Sequence, residues 1–311
     1  MHYKVQNDVN SVNYRGNTMA SDGPRRVWKS ESSVTQRVRL SSGVEIGDKG
    51  FVVIAGPCAV ESATQIEAAA QAVARHGAHA MRGGAFKPRT SPYAFQGLGQ
   101  PGLEALAASA RRQHLPVVTE VMDAAQLPAM LEYADMLQIG ARNMQNFSLL
   151  KAVGKVRRPV LLKRGLSATL DEWLLAAEYV LDGGNDQVVL CERGIRTFEP
   201  QLRNTLDLAG VAWLKERTRL PVLVDPSHAT GDRALVTPMA LAAAAAGADG
   251  LLIEVHPEPA QALCDGAQAL TPAMFGDLMA ALQKVLAAVG RSLAVPNVEH
   301  RRLLRPVEVR T

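Results

Sequence analysis

Short runs of consecutive apolar residues alternate with longer amphipathic segments over most of the chain. The runs are continuous rather than alternating in polarity, which is typical of strands that are buried on both faces of a parallel sheet. The segments that follow them have the apolar spacing of helices. This pattern predicts eight strand–helix pairs, with strands at 51–55, 78–81, 116–121, 136–139, 160–163, 187–191, 222–225 and 250–255, and helices at 63–76, 103–114, 124–133, 147–156, 170–181, 206–218, 239–246 and 273–289.

Eight such pairs in about 240 residues are the expected content of a (β/α)8 or TIM barrel, which is the α/β fold that we predict. A doubly wound sheet is the alternative. The loop after the first strand lacks the GxGxxG sequence with which such sheets bind dinucleotides, so this alternative is disfavoured.

The ends of the chain do not continue the strand–helix pattern. Apolar residues on both sides of Ser41-Ser42-Gly43 predict a short hairpin that closes the bottom of the barrel. We expect a flexible extension at 1–37, the barrel at 38–290 and a basic tail at 291–311.

Composition and charge exclude several classes of function. The 311 residues are 47% hydrophobic, yet no segment approaches the roughly 18 uninterrupted apolar residues of a membrane span, and no secretion signal precedes residue 39. The formal net charge of +4 comes from the ends, because residues 1–40 carry +4, residues 291–311 carry +3 and the middle carries −3. With few aromatic side chains for base stacking, this distribution argues against nucleic-acid binding. Three widely separated cysteines predict a reducing, cytoplasmic setting.

A basic loop, Arg82-Gly83-Gly84-Ala85-Phe86-Lys87-Pro88-Arg89-Thr90-Ser91-Pro92, follows the second predicted strand. Its arginines offer planar forks that match phosphate or carboxylate, and its glycines let backbone approach a ligand. Taken alone, a loop with three cations is more often a solvated basic turn. Its position at the carboxyl end of a barrel strand, where active sites of this fold lie, favours phosphate binding.

Four side chains near other strand ends have the chemistry of metal ligands. Cys58 follows strand one, His228 follows strand seven, Glu254 ends strand eight and Asp265 lies in the loop beyond. Each has an ordinary structural explanation when considered singly. Together they form a mixed sulfur, nitrogen and oxygen set, which suits Mn2+, Fe2+, Co2+ or Zn2+ better than Mg2+ or Ca2+.

Cations are concentrated around the same predicted mouth. They are Arg82, Lys87, Arg89, Arg142, Lys163, Arg164 and Arg193. Seven converging cations in a slightly acidic domain would repel one another unless anions filled the site, so we expect substrates that carry several phosphates or carboxylates.

Five motifs resemble those of type I 3-deoxy-D-arabino-heptulosonate 7-phosphate (DAHP) synthases, in the branch related to 3-deoxy-D-manno-octulosonate 8-phosphate synthases. The motifs are Ala55 to Ser62, Arg82 to Pro92, Gln138 to Phe147, Leu190 to Glu199 and Asp225 to His228. The resemblance covers about residues 38–290, and several long motifs in the same order make it specific. The stretch Lys87 to Ser91 is the one that points to the heptulosonate enzymes.

The resemblance implies a metal-dependent transferase that condenses phosphoenolpyruvate with erythrose 4-phosphate and releases phosphate, the first step of the shikimate pathway and so of aromatic amino acid biosynthesis. It implies one divalent metal on Cys58, His228, Glu254 and Asp265, and no organic cofactor. It assigns the phosphoenolpyruvate phosphate to Arg142, Lys163 and Arg193, its carboxylate to Arg82 and Lys87, and the sugar phosphate to Arg89 and Thr90. Lys87, Glu120 and His228 are the expected catalytic residues, with Lys87 protonating the new alkoxide and Glu120 orienting water.

Two other functions remain open from the sequence. One is synthesis of octulosonate 8-phosphate from arabinose 5-phosphate, and the other is a non-catalytic barrel that senses sugar phosphates. The resemblance also implies a homo-oligomer. Since 1–37 and 291–311 are short, we expect no inhibition by aromatic amino acids through an added regulatory domain.

Overall fold

The computed structural model describes residues 23–30, 34–47, 49–87 and 91–295, and its strands form a closed parallel barrel. The strands in these ranges are β1 (Val38–Arg39), β2 (Glu45–Ile46), β3 (Gly50–Gly56), β4 (Ala80–Arg82), β5 (Val117–Glu120), β6 (Met136–Ile139), β7 (Val160–Lys163), β8 (Val188–Glu192), β9 (Val222–Val224), β10 (Gly250–Glu254) and β11 (Ser292–Leu293). Strands β3 to β10 pair in sequence order, and β10 closes the barrel on β3, with Glu254 opposite Gly56.

Helices cover the outside of the barrel. Within the described residues they are α1 (Ala63–Arg75), α2 (Gln100–Arg112), α3 (Leu127–Tyr133), α4 (Phe147–Gly154), α5 (Leu170–Asp182), α6 (Leu208–Arg217), α7 (Pro226–Thr230), α8 (Arg233–Ala245) and α9 (Pro272–Ala288). Among these helices, none combines the length and the apolar character that crossing a bilayer requires.

The predicted barrel is confirmed, whereas several predicted helix boundaries differ from the structure, most of all the start of the seventh predicted helix. The helix predicted at 239–246 begins at Arg233, because Asp232 caps it by accepting a hydrogen bond from the amide of Ala234. The sequence interpretation started the helix after Pro238, where proline usually ends a helix, but the helix continues through this residue. The short helix α7, which carries His228, was not predicted.

Alternate residues of the barrel strands face two different cores. One set packs against the outer helices, and the other fills the barrel interior with residues such as Val52, Ile54 and Leu161. The predicted hairpin is present as β1 and β2, paired antiparallel, and its Leu40 and Ile46 belong to the interior cluster. The hairpin therefore closes the amino-terminal end of the barrel, so that the opposite end carries the open mouth.

Described residues near both chain ends contact the barrel. Glu178 of α5 accepts hydrogen bonds from the amides of residues 25–27, and Trp28 packs edge-on against Trp213 at a ring distance of 6.1 Å. At the other end, β11 pairs with β3. The division into an extension, barrel and tail stays a prediction, since residues 1–22, 31–33 and 296–311 lie outside the described ranges.

Truncation of Leu40 tests whether the hairpin stabilises the barrel. Leu40 is 2% exposed among interior side chains, so Leu40→Ala removes buried apolar contacts and leaves a cavity. We expect the free energy of unfolding, measured by urea denaturation, to fall by about 2–5 kcal/mol. The control Val34→Ala changes a side chain that is 81% exposed and should shift it by less than about 0.5 kcal/mol. Equal small effects of both substitutions would contradict this role of the hairpin.

Candidate active site

The four predicted metal ligands lie together at the carboxyl ends of the strands. Cys58 follows β3, His228 lies on α7 directly after β9, Glu254 ends β10, and Asp265 lies in the loop before α9. One ligand atom from each lies within 4.8 Å of the others. The Cys58 Sγ is 3.1 Å from Asp265 Oδ2, and the His228 Nε2 is 3.2 Å from Glu254 Oε1. Sulfur, imidazole and carboxylate donors this close together fit a single divalent transition-metal ion.

Asp225 fixes the orientation of His228. Its buried carboxylate accepts a hydrogen bond from the His228 amide at 2.9 Å, which caps α7, and its Oδ2 lies 2.6 Å from His228 Nδ1. An imidazole that donates through Nδ1 presents the lone pair of Nε2 to the other three ligands, as metal-binding histidines usually do. Burial lowers the pKa of His228, although the nearby carboxylates of Asp225 and Glu254 oppose this shift.

The carboxylates of this site stay ionised although they are buried. Burial raises the pKa of Asp265, but the proximity of His228, a hydrogen bond from Cys58 and the charge of Arg203 lower it to about 2. The pKa of Glu254 is also lowered, since His228 and Arg82 outweigh the effect of burial. Arg82 forms a 2.7 Å ion pair with Glu254. The site is therefore ready to receive a cation.

Lys87 connects the ligand group to the neighbouring cavity. Its Nζ donates hydrogen bonds to the carbonyl of Cys58 at 3.0 Å and to the Cys58 Sγ at 3.1 Å. Burial alone would lower the pKa of Lys87, but the neighbouring Cys58 sulfur and Glu120 carboxylate raise it by a larger amount, so the net shift is upward and the side chain is an ammonium at pH 7. Gly84 permits this contact, because a Cβ there would lie 2.8 Å from the Lys87 side chain.

A cavity of about 230 Å³ opens next to the ligand group and is lined by cations. They are Arg82, Lys87, Arg142, Lys163, Arg193, Arg196 and Arg203. Within the part of the chain that the structure describes, Arg142, Arg193 and Arg196 form no ion pair with a carboxylate. Arg193 is instead held by neutral acceptors, the Asn204 Oδ1 at 2.6 Å and the carbonyl of His228. Such unneutralised charge attracts anions.

One predicted cation among the described residues, Arg164, does not line this cavity. Arg164 is buried behind β7 and pairs with Glu192 at 2.9 Å and Asp207 at 2.8 Å, so its prediction as a mouth residue is wrong. Neighbouring residues in extended backbone point in opposite directions, and Lys163 occupies the inward position. Arg89 lies outside the described residues, as does Thr90, and their predicted role in binding the sugar phosphate stays a prediction.

Sequence reasoning missed two cavity residues, Arg196 and Arg203. Both lie in the loop after β8, which folds back on itself through a bridge between Ile195 and Thr205. The motif Leu190 to Glu199 contains Arg196, so its position after the strand end was the available signal. No local pattern marks Arg203, whose guanidinium lies 3.5 Å from Asp265 Oδ1.

Glu120 lines the opposite side of the cavity, at the end of β5. Its carboxylate accepts a hydrogen bond from Gln138 at 3.3 Å, and it lies against Gly140, where a Cβ would approach Glu120 Oε1 to 2.1 Å. Glycine at this position therefore leaves room for the carboxylate, which faces the cavity.

Known proteins show the same fold and similar sequences. The family model described as the DAHP synthetase I family matches residues 31–289. Phospho-2-dehydro-3-deoxyheptonate aldolase of Thermotoga maritima is 50% identical over 247 residues, which are 79% of this chain and 73% of that protein. A 2-dehydro-3-deoxyphosphooctonate aldolase of Syntrophotalea carbinolica is 33% identical over 242 residues, which are 72% of this chain and 86% of that protein.

Two solved structures from Thermotoga maritima superimpose on this chain. The crystal structure of its phospho-2-dehydro-3-deoxyheptonate aldolase (DAHP synthase) superimposes with a TM-score of 0.84 at 46% sequence identity. The match covers 87% of this chain and 79% of the chain in that structure. A truncated form of 3-deoxy-D-arabino-heptulosonate 7-phosphate synthase has a TM-score of 0.80 at 43% identity and covers 86% and 98%. With the matching family model, these similarities show that the chain belongs to the DAHP synthetase I family.

Proposed function

We propose that this chain condenses phosphoenolpyruvate with erythrose 4-phosphate and water to give 3-deoxy-D-arabino-heptulosonate 7-phosphate and phosphate. The observation that carries this proposal is the cavity in which the four-ligand group adjoins three arginines that have no carboxylate partner among the described residues. Two phosphates and a carboxylate supply anions for these cations, and an aldehyde supplies the oxygen for the metal. The similarity to heptonate aldolase over 79% of the chain supports the same reaction.

One divalent ion among Mn2+, Fe2+, Co2+ and Zn2+ is the cofactor that we propose, held by Cys58, His228, Glu254 and Asp265. Lewis-acid polarisation of the aldehyde carbonyl is the chemistry that such an ion supplies. We propose no organic cofactor, because the reaction transfers neither electrons nor a group that needs a carrier.

The cations divide the substrates between them. Arg142, Lys163 and Arg193 bind the phosphate of phosphoenolpyruvate, and Arg82 with Lys87 binds its carboxylate. Arg89 and Thr90 bind the phosphate of the aldose. This arrangement places C3 of phosphoenolpyruvate beside the aldehyde carbon, so that the two substrates react as if they were one molecule.

Proton transfers follow the formation of the carbon–carbon bond. C3 attacks the aldehyde carbon, and the aldehyde oxygen becomes an alkoxide that takes a proton from Lys87, whose Nζ lies beside the ligand group. The attack leaves an oxocarbenium carbon at C2, to which water oriented by Glu120 adds, and the proton that the water loses passes to the phosphate oxygen bound to C2. The bond between C2 and the phosphate oxygen then breaks, and inorganic phosphate is released beside Arg142, Lys163 and Arg193.

A homo-oligomer in a reducing, cytoplasmic compartment completes the proposal. The wide spacing of the three cysteines along the chain supports the reducing compartment, and Cys58, Cys191 and Cys264 are free thiols. We propose neither nucleic acid nor a membrane as a partner.

Comparison of two aldoses tests the substrate. Octulosonate synthesis remains the second candidate because relatives at 30–33% identity are phosphooctonate aldolases. We expect the metal-reconstituted enzyme to release phosphate with a kcat/KM at least about tenfold higher for erythrose 4-phosphate than for arabinose 5-phosphate. A preference for arabinose 5-phosphate would support the second candidate. Binding without any phosphate release would indicate a sugar-phosphate sensor.

Removal of the thiol ligand tests the metal site. We expect Cys58→Ala to weaken metal binding and to lower turnover at limiting metal by at least about 100-fold. Losing a ligand should cost at least as much as losing a residue that only supports a ligand, for which losses of about 10- to 100-fold are usual. Metal content and phosphate release are measured after chelation and reconstitution. Cys191→Ala is the matched control, since this buried cysteine lies outside the ligand group, and it should behave like the wild type. Wild-type turnover of chelated Cys58→Ala would refute the ligand set.

Replacement of the cavity carboxylate tests the orientation of water. Glu120→Gln keeps the shape of the side chain but removes its charge, so kcat should fall by about 10²- to 10⁴-fold with little change in the KM for phosphoenolpyruvate. Steady-state kinetics measure both constants. Glu104→Gln, at an exposed position of α2, is the control and should leave both unchanged. An unchanged kcat of Glu120→Gln would remove this role.

A further inference from the structure

We propose that Gln268 is a positioning residue that holds the carboxylate of Glu254 in place for metal binding. The inference deepens the proposed function and rests on its metal site. Gln268 is 2% exposed and lies in the turn that also carries Asp265. No feature of the sequence distinguishes it from the other glutamines of the chain.

The two oxygens of Glu254 have different partners. Oε1 forms an ion pair with Arg82 at 2.7 Å and lies 3.2 Å from His228 Nε2. Oε2 accepts a hydrogen bond from Gln268 Nε2. Since Glu254 is fully buried, its Oε2 would be left without a hydrogen bond if this donor were removed.

Arg82 makes this contact important for metal binding. A guanidinium prefers to bind both oxygens of a carboxylate through its planar fork. Arg82 donates to Glu254 through one nitrogen only, and its second nitrogen lies 3.5 Å from the carbonyl of Cys58. Gln268 holds the other oxygen and thereby opposes a rotation of Glu254 into a two-pronged pair with Arg82, which would withdraw it from His228.

The amide of Gln268 is itself held in one orientation. Its Oε1 accepts a hydrogen bond from Arg203 at 2.5 Å, so its NH2 group must face Glu254. Arg203 also lies 3.5 Å from Asp265 Oδ1. Gln268 and Arg203 therefore connect the two carboxylate ligands of the site.

The backbone explains why Gln268 reaches the end of β10. Its amide donates to the carbonyl of Asp265 at 3.3 Å, and two residues later Leu270 forms a parallel bridge with Val255. The segment from Asp265 to Leu270 thus runs beside Glu254. Asp265 has a φ of +54°, a left-handed conformation that is uncommon outside glycine and that this turn requires.

The test measures metal affinity of the full-length chain directly. Apo-enzyme is titrated with Co2+, and binding and the cobalt d–d spectrum are recorded. Gln268→Met keeps the size of the side chain but removes both hydrogen bonds, so we expect the Kd for Co2+ to rise about 10- to 100-fold and the d–d bands to shift. Gln113→Met, at a partly buried glutamine of the opposite barrel end, should match the wild type in both.

Two further measurements separate positioning from folding. Because Gln268→Met removes buried hydrogen bonds, we expect the thermal midpoint of the apo-enzyme to fall, and the Kd separates the two roles. A purely structural role predicts a lower midpoint with an unchanged Kd, whereas a positioning role predicts a raised Kd in the folded apo-enzyme. If Gln268→Met does not fold, Gln268→Asn keeps an amide that is one methylene too short to reach Glu254 and Arg203 together. We expect its Kd for Co2+ to rise at least about threefold, since residues that support a metal ligand weaken metal binding when they are changed. An unchanged Kd and spectrum in a folded variant overturns the inference.

The outcomes also distinguish this inference from the proposed function. A wild-type enzyme that binds no Co2+ at the site contradicts the metal proposal and with it the role of Gln268. A wild type that binds Co2+, together with a folded Gln268→Met variant of equal affinity and spectrum, contradicts the role of Gln268 alone.

Discussion

The concentration of buried charge at the carboxyl end of the barrel is the constraint on which the rest of the site depends. Asp225 and Glu254 are fully buried, and Asp265 lies beside them. Ionised carboxylates are costly away from water unless cations or hydrogen bonds compensate them. Lys163 compensates Asp225 and Arg82 compensates Glu254, each at the end of a different strand. The closed barrel makes this possible, since it brings the ends of strands distant in sequence to one face.

The same pairing divides the cations by task. Those that lie deep in the mouth neutralise carboxylates and are fixed by them, whereas Arg142, Arg193 and Arg196 face the cavity without a carboxylate partner in the described ranges. Lys163 lines the cavity and also neutralises a carboxylate, since its ammonium lies 2.5 Å from Asp225 Oδ2. The same Asp225 oxygen accepts a hydrogen bond from the ring of His228. The proposed phosphate site and metal site thus share one buried carboxylate.

The fold and the four candidate metal ligands could be predicted from the sequence, whereas the residues that contact and orient these ligands could not. Continuous apolar strands predict a parallel barrel, and the barrel alone predicts that Cys58, His228 and Glu254 converge at strand ends. The prediction for Arg164 was wrong because successive side chains at a strand end point in opposite directions, so an error of one residue moves a side chain from the cavity to the outer side of the sheet. Arg203 and Gln268 could not be found, since their positions depend on how loops fold back, through the bridges at Ile195 and Val255.

The most direct test of the central claim is anomalous X-ray diffraction from crystals of the metal-reconstituted protein, recorded on both sides of the absorption edge of the metal. We expect one strong anomalous peak within bonding distance of Cys58 Sγ, His228 Nε2 and the carboxylates of Glu254 and Asp265, beside the Nζ of Lys87. A peak bound by other residues, or a catalytically active crystal form without a peak among these four side chains, would contradict it.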